Sequence, residues 1–371
     1  MLNKKYMALA VGVILNLLIF GFASAAENED IKSINLEFVQ TRILDTDYNI
    51  KLKERAVDKA FNSYRNVESS LYSVLQKSYG TQTNDSYELE QSGNLLRVAT
   101  ETAQTDVDVA KVKAKLTAQQ KYYDLLKYQK QYYIALDKLK YAQENYRLAS
   151  VKYKVGTVSR VDVINANIQL TGAKVSADVA KRKYEVSTYS FKKLLGIDNK
   201  TSLTLSEVLT YQPYTSIDVL AEMNDLVDDS NDMKSLIKLM DAYRDNVKFG
   251  KDNGLTDTTA YDDAVNALEE KDLTYNQSKD NLENAIYGAY VTLQSSADQI
   301  EVLNNQQELA FESLRIAKIQ YKTGMITNNQ VTSALNSYTD VLNQRSEAIY
   351  TYNVNKAKFE NKLYSDMVSG S

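Results

Sequence analysis

The chemistry open to this chain is that of carboxylates, amines, hydroxyls and amides, because its 371 residues include no His and no Cys. Those two absences remove the commonest general base, the thiol nucleophile and the usual ligands of transition metals. The 48 Asp and Glu residues offer carboxylates, but on helix surfaces such side chains usually face solvent. The formal net charge is only −4, and no run of basic residues suggests binding to nucleic acid. We therefore expect a protein that is not an enzyme and that needs no cofactor or metal ion.

The polar residues with the most specific spacing belong to a segment that occurs twice in the chain. The first copy runs from Arg147 to Val163, and the second runs from Arg315 to Val331. A fixed offset held over about fifty residues indicates an internal duplication. At this offset the following pairs are identical: Arg147 and Arg315, Ala149 and Ala317, Tyr153 and Tyr321, Lys154 and Lys322, Gly156 and Gly324, Val163 and Val331, Ala166 and Ala334, Tyr184 and Tyr352, Phe191 and Phe359, Leu195 and Leu363.

Each copy has the composition of a helix, a tight turn and a second helix. Gly156 and Gly324 are placed where a left-handed residue closes the end of the incoming helix without a Cβ clash. Three residues later, a hydroxyl at position 159 or 327 can cap the outgoing helix. Asp162 completes a capping box in the first copy, and Gln330 can do the same in the second. The duplicated unit is therefore predicted to be a helical hairpin.

The composition favours long, uninterrupted helices. The chain contains one Pro, 12 Gly and no Trp. A proline inside a helix costs about 3 kcal/mol, so its near absence suits helices of unusual length. Tyr is abundant, with 28 residues against 8 Phe, which indicates interfaces that are half buried and half wet.

The N-terminus has the pattern of a signal peptide. Lys4 and Lys5 form a positive region, residues 7–22 are apolar, and Ala23-Ser24-Ala25 matches the small-residue cleavage pattern. We expect cleavage after Ala25. The alternative is an uncleaved anchor, although the apolar stretch is shorter than the ~20 residues of a spanning helix.

The remaining chain divides into two helical repeats, residues 26–198 and 216–371, joined by a linker at 199–215. The predicted helices of the first repeat are 34–46, 48–79, 94–155 and 159–195, with a polar break at 80–93. Those of the second are 217–227, 230–249, 260–323 and 327–367, with a break at 250–257. Leu203 to Ser206 alternates and could add a small edge strand.

The long helix of the first repeat carries two contact stripes. A 4-3 spacing indicates a coiled-coil seam, and a second stripe of small residues faces elsewhere, so we expect two helical neighbours. A free-standing coiled-coil stalk remains the alternative. The seam comprises Val98, Thr102, Thr105, Val109, Val112, Leu116, Gln119, Tyr123, Leu126, Lys130 and Tyr133, and the small-residue stripe comprises Ala99, Ala103, Ala110 and Ala114.

In these features the chain resembles the TolC-like outer-membrane efflux proteins, the exit ducts of drug-efflux pumps and type I secretion systems. The resemblance covers essentially the whole chain after the signal peptide, in order. It rests on the duplicated turn (153–159 and 321–327), the stretch 162–166, the closing Leu194-Leu195-Gly196, and the segments 47–51 and 229–234 that begin each repeat.

The resemblance implies an all-α fold in which duplicated long antiparallel hairpins form an α-barrel or coiled-coil rod. It also implies a homotrimer that works with a periplasmic-type adaptor, which is a membrane fusion protein, and an inner-membrane pump. The hairpin tips would dock the adaptor, and an acidic position after the first turn would help to constrict the aperture. The implied docking residues are Gly156, Thr157, Ser159, Arg160, Gly324, Met325 and Thr327, and the implied aperture residues are Asp162, Asn165 and Gln330.

The resemblance also implies two membrane-spanning β-strands in each repeat, and on this point the sequence departs from the family. The breaks at 80–93 and 250–257 hold 14 and 8 residues, too few and too polar for two spanning strands of ~9 to 11 residues each. We therefore expect little or no β-strand, a relative that lacks the membrane strands, and a cell-envelope or cell-wall location. The leading interpretation is an efflux duct, and the alternative is a non-conducting structural or adhesive coiled-coil protein of the envelope.

Overall fold

A computed structural model describes residues 31–78, 80, 83–215 and 217–368. The expected signal peptide, residues 1–25, lies outside these residues. The described elements, in chain order, are β1 Ile31–Ile34, α1 Leu36–Thr46, α2 Tyr48–Lys77, α3 Asn84–Lys154, α4 Arg160–Leu194, β2 Ser202–Leu205, α5 Met223–Asp228, α6 Asn231–Asp252, α7 Thr259–Lys322, α8 Asn328–Glu360 and α9 Ser365–Val368.

Two long helical hairpins, α3–α4 and α7–α8, form the body of the described residues, as the duplication predicts. They lie side by side in the order α4, α3, α8, α7, so that α3 packs against α8 and leaves α4 and α7 at opposite edges. Away from the tips, α2 packs along α3, and α6 packs between α3 and α7. The 71 residues of α3 span about 107 Å at 1.5 Å per residue. The all-α fold with duplicated long hairpins is confirmed.

The apolar interior is divided between the two repeats. In the first, Ala110, Ala114 and Ala118 of α3 pack with the aromatic rings of Tyr122 and Phe191, which confirms the small-residue stripe at its second half. In the second, Ile286, Leu293 and Ile300 of α7 pack with Tyr352 and other residues of α8. Each hairpin therefore has its own core, as a duplicated unit should.

A two-stranded parallel sheet joins the beginning of the first repeat to the linker after it. The backbone of Ile31 is in register with Ser202, and that of Ile34 with Leu205. The buried hydroxyl of Tyr122 donates to the carbonyl of Ile34 at 3.2 Å, which fastens the sheet to α3. The edge strand expected near Leu203 is therefore present.

The two hairpins are joined at mid-length by a buried lysine. The side chain of Lys127 on α3 is only 7% exposed, and its ammonium lies 3.2 Å from Asp124 and 3.3 Å from Glu347 of α8. The same ammonium lies 3.9 Å from the centre of the Tyr350 ring. Burial raises the pKa of the Tyr350 hydroxyl, and the nearby carboxylate of Asp124 raises it further. One ion pair, to Glu347, and one cation–π contact, to Tyr350, thus cross the seam between the repeats, while the ion pair to Asp124 lies within α3.

Three helix boundaries differ from the sequence prediction. The first break is mostly helix, because α3 begins at Asn84 rather than near residue 94. The short helix expected at 217–227 is limited to α5, Met223–Asp228. The last long helix ends at Glu360, where Lys362 adopts a left-handed conformation with φ of 60°.

None of the described helices combines the length and the apolar character that crossing a membrane as a helix requires.

Candidate functional site

The first hairpin tip is closed by backbone hydrogen bonds around Gly156. This glycine has φ of +77°, a conformation that other residues adopt at a cost. Its N–H donates to the carbonyl of Tyr153 at 3.0 Å, and the N–H of Thr157 donates to that of Lys152 at 2.9 Å. These two bonds satisfy carbonyl groups that the end of α3 would otherwise leave open. The sequence prediction of a left-handed glycine is confirmed.

The outgoing helix of this tip begins with a capping box. Ser159 donates its N–H at 2.9 Å and its hydroxyl at 2.8 Å to one carboxylate oxygen of Asp162. The N–H of Asp162 donates back to the Ser159 hydroxyl oxygen at 3.2 Å. The bonds from Ser159 lower the pKa of the Asp162 carboxyl from its ordinary value of 3.8. Asp162 is therefore a charged group whose first role in this chain is to hold the helix start.

The second tip repeats this arrangement with a neutral residue. Gly324 has φ of +79°, and the N–H of Met325 donates to the carbonyl of Gln320 at 2.9 Å. The N–H of Thr327 donates to the amide oxygen of Gln330 at 2.8 Å. An amide oxygen thus replaces the carboxylate of the first tip, so the two capping boxes have the same hydrogen-bond pattern but only the first is charged.

Both tips present their turn residues to solvent. Among the residues predicted to dock a partner, Gly156, Thr157, Ser159 and Arg160 are exposed at the first tip. Gly324 is exposed at the second tip. Met325 is 75% exposed at the second tip.

The three proposed aperture residues are not brought together within one chain. Asp162 and Gln330 each fold back into their own capping boxes, and Asn165 is half-buried one turn into α4. Burial raises the pKa of Tyr321, and the charge of Asp162 raises it further, so the first tip's carboxylate faces the end of α7. A shared constriction would therefore need further copies of the chain.

Polar contacts between the two tips were missed at the sequence level. Gln169 of α4 donates to the Asn329 side chain at 3.1 Å and accepts from the Thr332 hydroxyl at 2.7 Å. The ammonium of Lys152 lies 4.2 Å from the centre of the Tyr321 ring. These pairs are more than 150 residues apart in sequence, and only the polar character of positions facing another helix could have hinted at them.

The two edge helices, α4 and α7, carry large apolar side chains that are exposed to solvent in the described part of the chain. On α4 the exposed positions follow spacings of three, four and seven residues, which is the pattern of a helix seam. The exposed set on α4 comprises Val161, Ile164, Ile168, Val175, Val179 and Val186, and on α7 it includes Val291, Val302, Leu309, Phe311, Ile316 and Ile319.

The charges of these edges are opposite. α4 contains seven Lys and Arg against three Asp and Glu, a net charge of +4. α7 contains five against eleven, a net charge of −6. α2, which packs against α3, contains six Lys and Arg against three Asp and Glu, a net charge of +3. One edge of the chain is thus basic and the other acidic.

In the part of the chain that the structure describes, no group of three or more Asp or Glu residues could hold a metal ion.

Comparisons with known proteins rest on structure alone, since no family model and no curated protein sequence matches the chain. The structure of CusC, reported with the conformational changes of its folding and transmembrane channel formation, has a TM-score of 0.73 and 13% identity. The match covers 92% of this chain and 95% of that one. The Campylobacter jejuni CmeC outer membrane channel has a TM-score of 0.68 and 14% identity, covering 93% and 91%. The open-state MtrE outer membrane channel of Neisseria gonorrhoeae has 0.70 and 12%, covering 89% and 88%.

Proposed function

We propose that this chain, whose fold is TolC-like, is an exported component of an efflux or type I secretion duct. Three copies would form a tunnel of helices through which substrates pass, and the chain would catalyse nothing. The similar structures are described as outer membrane channels, which supports a channel role and a location in the cell envelope.

The observation that carries the proposal is the pair of exposed apolar edges on α4 and α7. An edge that is apolar and basic at α4 is complementary to one that is apolar and acidic at α7. Because the two surfaces differ, their contact is head-to-tail, and a head-to-tail contact closes into a ring when the rotation between copies allows it. Opposite charges speed and orient such an encounter. A closed ring would bury both seams in every copy.

The tips would be the end of the tunnel that meets its partners. Gly156, Thr157, Ser159, Arg160, Gly324, Met325 and Thr327 would dock a periplasmic-type adaptor, which in turn connects to an inner-membrane pump. A ring would also place one Asp162 from each copy near the narrow end, with Asn165 and Gln330 beside it. Like charges held close together favour a bound cation or a proton.

Paired cysteines test the ring directly, because the chain has no cysteine of its own. One cysteine is placed on α4, at Val175 or Val179, and one on α7, at Leu309, Phe311 or Ile316. We expect oxidation of at least one pair to give a covalently closed trimer in non-reducing gels and native mass spectrometry. Each single-cysteine variant serves as a control and should stay uncrosslinked.

Two results would count against the proposal. If the chain remains monomeric at micromolar concentration and low salt, the proposed tunnel of three copies does not form. A trimer that forms but restores no export of toxic compounds, in a host deleted for its own copy, would favour the non-conducting envelope protein instead.

A further inference from the structure

A cleft of about 490 Å³ lies where the linker crosses the seam between the two repeats. Its floor is formed by α3 and α8, and its roof by residues 207–212, which we call the linker strap. The strap is tied down on α8, where Asn353 donates to the carbonyl of Thr210 at 3.0 Å. Small-molecule sites typically occupy 300 to 1,000 Å³, so the cleft is large enough for one such ligand.

The charge of the cleft is negative. Glu207 in the strap and Glu360 at the end of α8 both line it, and Lys356 is the single basic side chain of the lining. The Lys356 ammonium lies 3.8 Å from Glu360 and also donates to the carbonyl of Gln212 at 3.4 Å. Glu207 accepts the N–H of Leu36 at 3.3 Å and lies beside the Tyr122 hydroxyl, whose pKa is raised by burial and then by the charge of Glu207. Within the described residues no lysine or arginine forms an ion pair with Glu207. The lining therefore holds one carboxylate that lacks a cation.

Both carboxylates line the cleft together with Tyr123. Burial raises the pKa of the Tyr123 hydroxyl, and the charges of Glu207 and Glu360 raise it further. This hydroxyl is oriented by Gln119, which donates to it at 3.0 Å. An aromatic ring beside two carboxylates is a surface that attracts cations, since the face of the ring and the carboxylates are both negative.

The rest of the lining is mixed, because apolar residues lie beside the polar residues Gln119, Gln212 and Asn353. Leu36, Leu126 and Leu209 contribute side chains from α1, α3 and the strap. A small hydrated metal ion would gain nothing from these side chains, and no third carboxylate is present to complete its ligands. A ligand that combines a positive charge with apolar groups would use both parts of the lining.

We propose that the cleft binds a lipophilic organic cation, such as a quaternary ammonium or phosphonium compound. Glu207 provides the principal charge, Tyr123 the aromatic face, and the leucines the apolar contact. The site does not depend on the assembly proposed above, because every lining residue belongs to one chain.

Equilibrium dialysis of the full chain with tetraphenylphosphonium tests the site, with tetraphenylborate as a probe of the same shape and opposite charge. We expect saturable binding of one phosphonium per chain and no saturable binding of the borate. Glu207→Gln should weaken phosphonium binding at least tenfold, which corresponds to about 1.4 kcal/mol. The glutamine oxygen can still accept the N–H of Leu36, so the fold of the strap should survive.

A second variant and a control keep the test decisive. Glu360→Gln, which removes the second carboxylate of the cleft, should also weaken phosphonium binding. Glu88→Gln removes an exposed carboxylate from the first turns of α3, far from the cleft, and should leave binding unchanged. Absence of phosphonium binding, equal binding of the borate, or equal affinity in Glu207→Gln and Glu88→Gln would each overturn the proposal.

Discussion

Replacing Lys127 by Met should lower the free energy of unfolding far more than the same replacement at Lys130 of the same helix. The substitution removes the ammonium but keeps an unbranched side chain that can fill most of the same space. It leaves the carboxylate of Asp124, only 20% exposed, without its nearest cation. Glu347 is 53% exposed and can turn to water, so it contributes less to the loss.

The magnitude follows from the geometry. At an effective dielectric constant of about 20, unit charges 3.2 Å apart attract by roughly 5 kcal/mol. Part of this attraction is offset by the cost of removing both groups from water. The contact with the Tyr350 ring adds about 1 to 2 kcal/mol when desolvated. Since Lys121 remains 3.9 Å from Asp124, we expect a net loss of about 3 kcal/mol in the free energy of unfolding.

Urea denaturation followed by circular dichroism at 222 nm measures this loss. Lys130→Met is the matched control, because Lys130 is an exposed lysine on the same helix, and it should change stability by less than about 0.5 kcal/mol. Lys127→Met combined with Asp124→Asn removes the stranded charge and should recover most of the loss. A Lys127→Met variant as stable as the control, or a double variant no better than the single one, would refute the reasoning.

Three further predictions concern glycines and the first tip. Gly156→Val combined with Gly324→Val forces β-branched residues into positive φ and should lower the free energy of unfolding by about 2 to 4 kcal/mol. Export activity in the host should fall by more than this loss of stability explains. Normal export by the double variant would show that the turns dock no partner. Gly250→Ala would place a Cβ 2.7 Å from two tyrosine side chains, so thermal denaturation should show a loss of about 1 to 3 kcal/mol, whereas Gly172→Ala, in open space on α4, should gain about 0.5 to 1 kcal/mol. Asp162→Asn should lower the free energy of unfolding by about 1 kcal/mol and make it depend less on pH in acid. The carboxyl pKa is lowered in the folded chain, so its stabilisation is present above pH 3.8 and is lost as the pH falls. A destabilised variant with normal export would exclude an aperture role.

The sequence predicts the conformation of the hairpin tips well because residues close together in the chain determine it. A glycine that needs positive φ and a hydroxyl three residues later are sufficient to define the turn, and both lie within one short segment. The same local chemistry, repeated at a fixed offset, predicts the second hairpin. Whether these residues also dock a partner stays a prediction, because that depends on molecules outside the chain.

The start of α3 could not be predicted, because distant contacts hold it. Residues 84–93 are polar and read as a break, yet they are helical in the structure. Tyr87 donates its hydroxyl to the carbonyl of Asn246 at 2.9 Å and stacks on Phe249 with ring centres 5.6 Å apart. Both partners belong to α6, about 160 residues later, so no local pattern can reveal them. Tertiary packing has overridden a weak local preference.

The buried lysine shows the limit of periodicity in a helix. The 4-3 spacing places Lys130 on the seam, whereas the structure exposes Lys130 and buries Lys127. Hydropathy gives all lysines the same value, and only the carboxylates and ring around Lys127 make its burial tolerable. Those partners come partly from α8, which a single-helix pattern does not include.

The parallel pairing of β1 with β2 has a consequence for the order in which the chain folds. Ile31 is in register with Ser202, so the pairing closes a loop of roughly 170 residues. Closing so long a flexible loop costs about 4 to 5 kcal/mol in chain entropy. Early in folding, the hydrogen bonds between two four-residue strands do not offset this cost. Once α3 and α4 have packed together from the Gly156 turn, the two strands lie near each other. Most of the loop-closure entropy has then already been lost. We therefore expect β1, although it comes first in the chain, to pair with β2 only after the α3–α4 hairpin has formed.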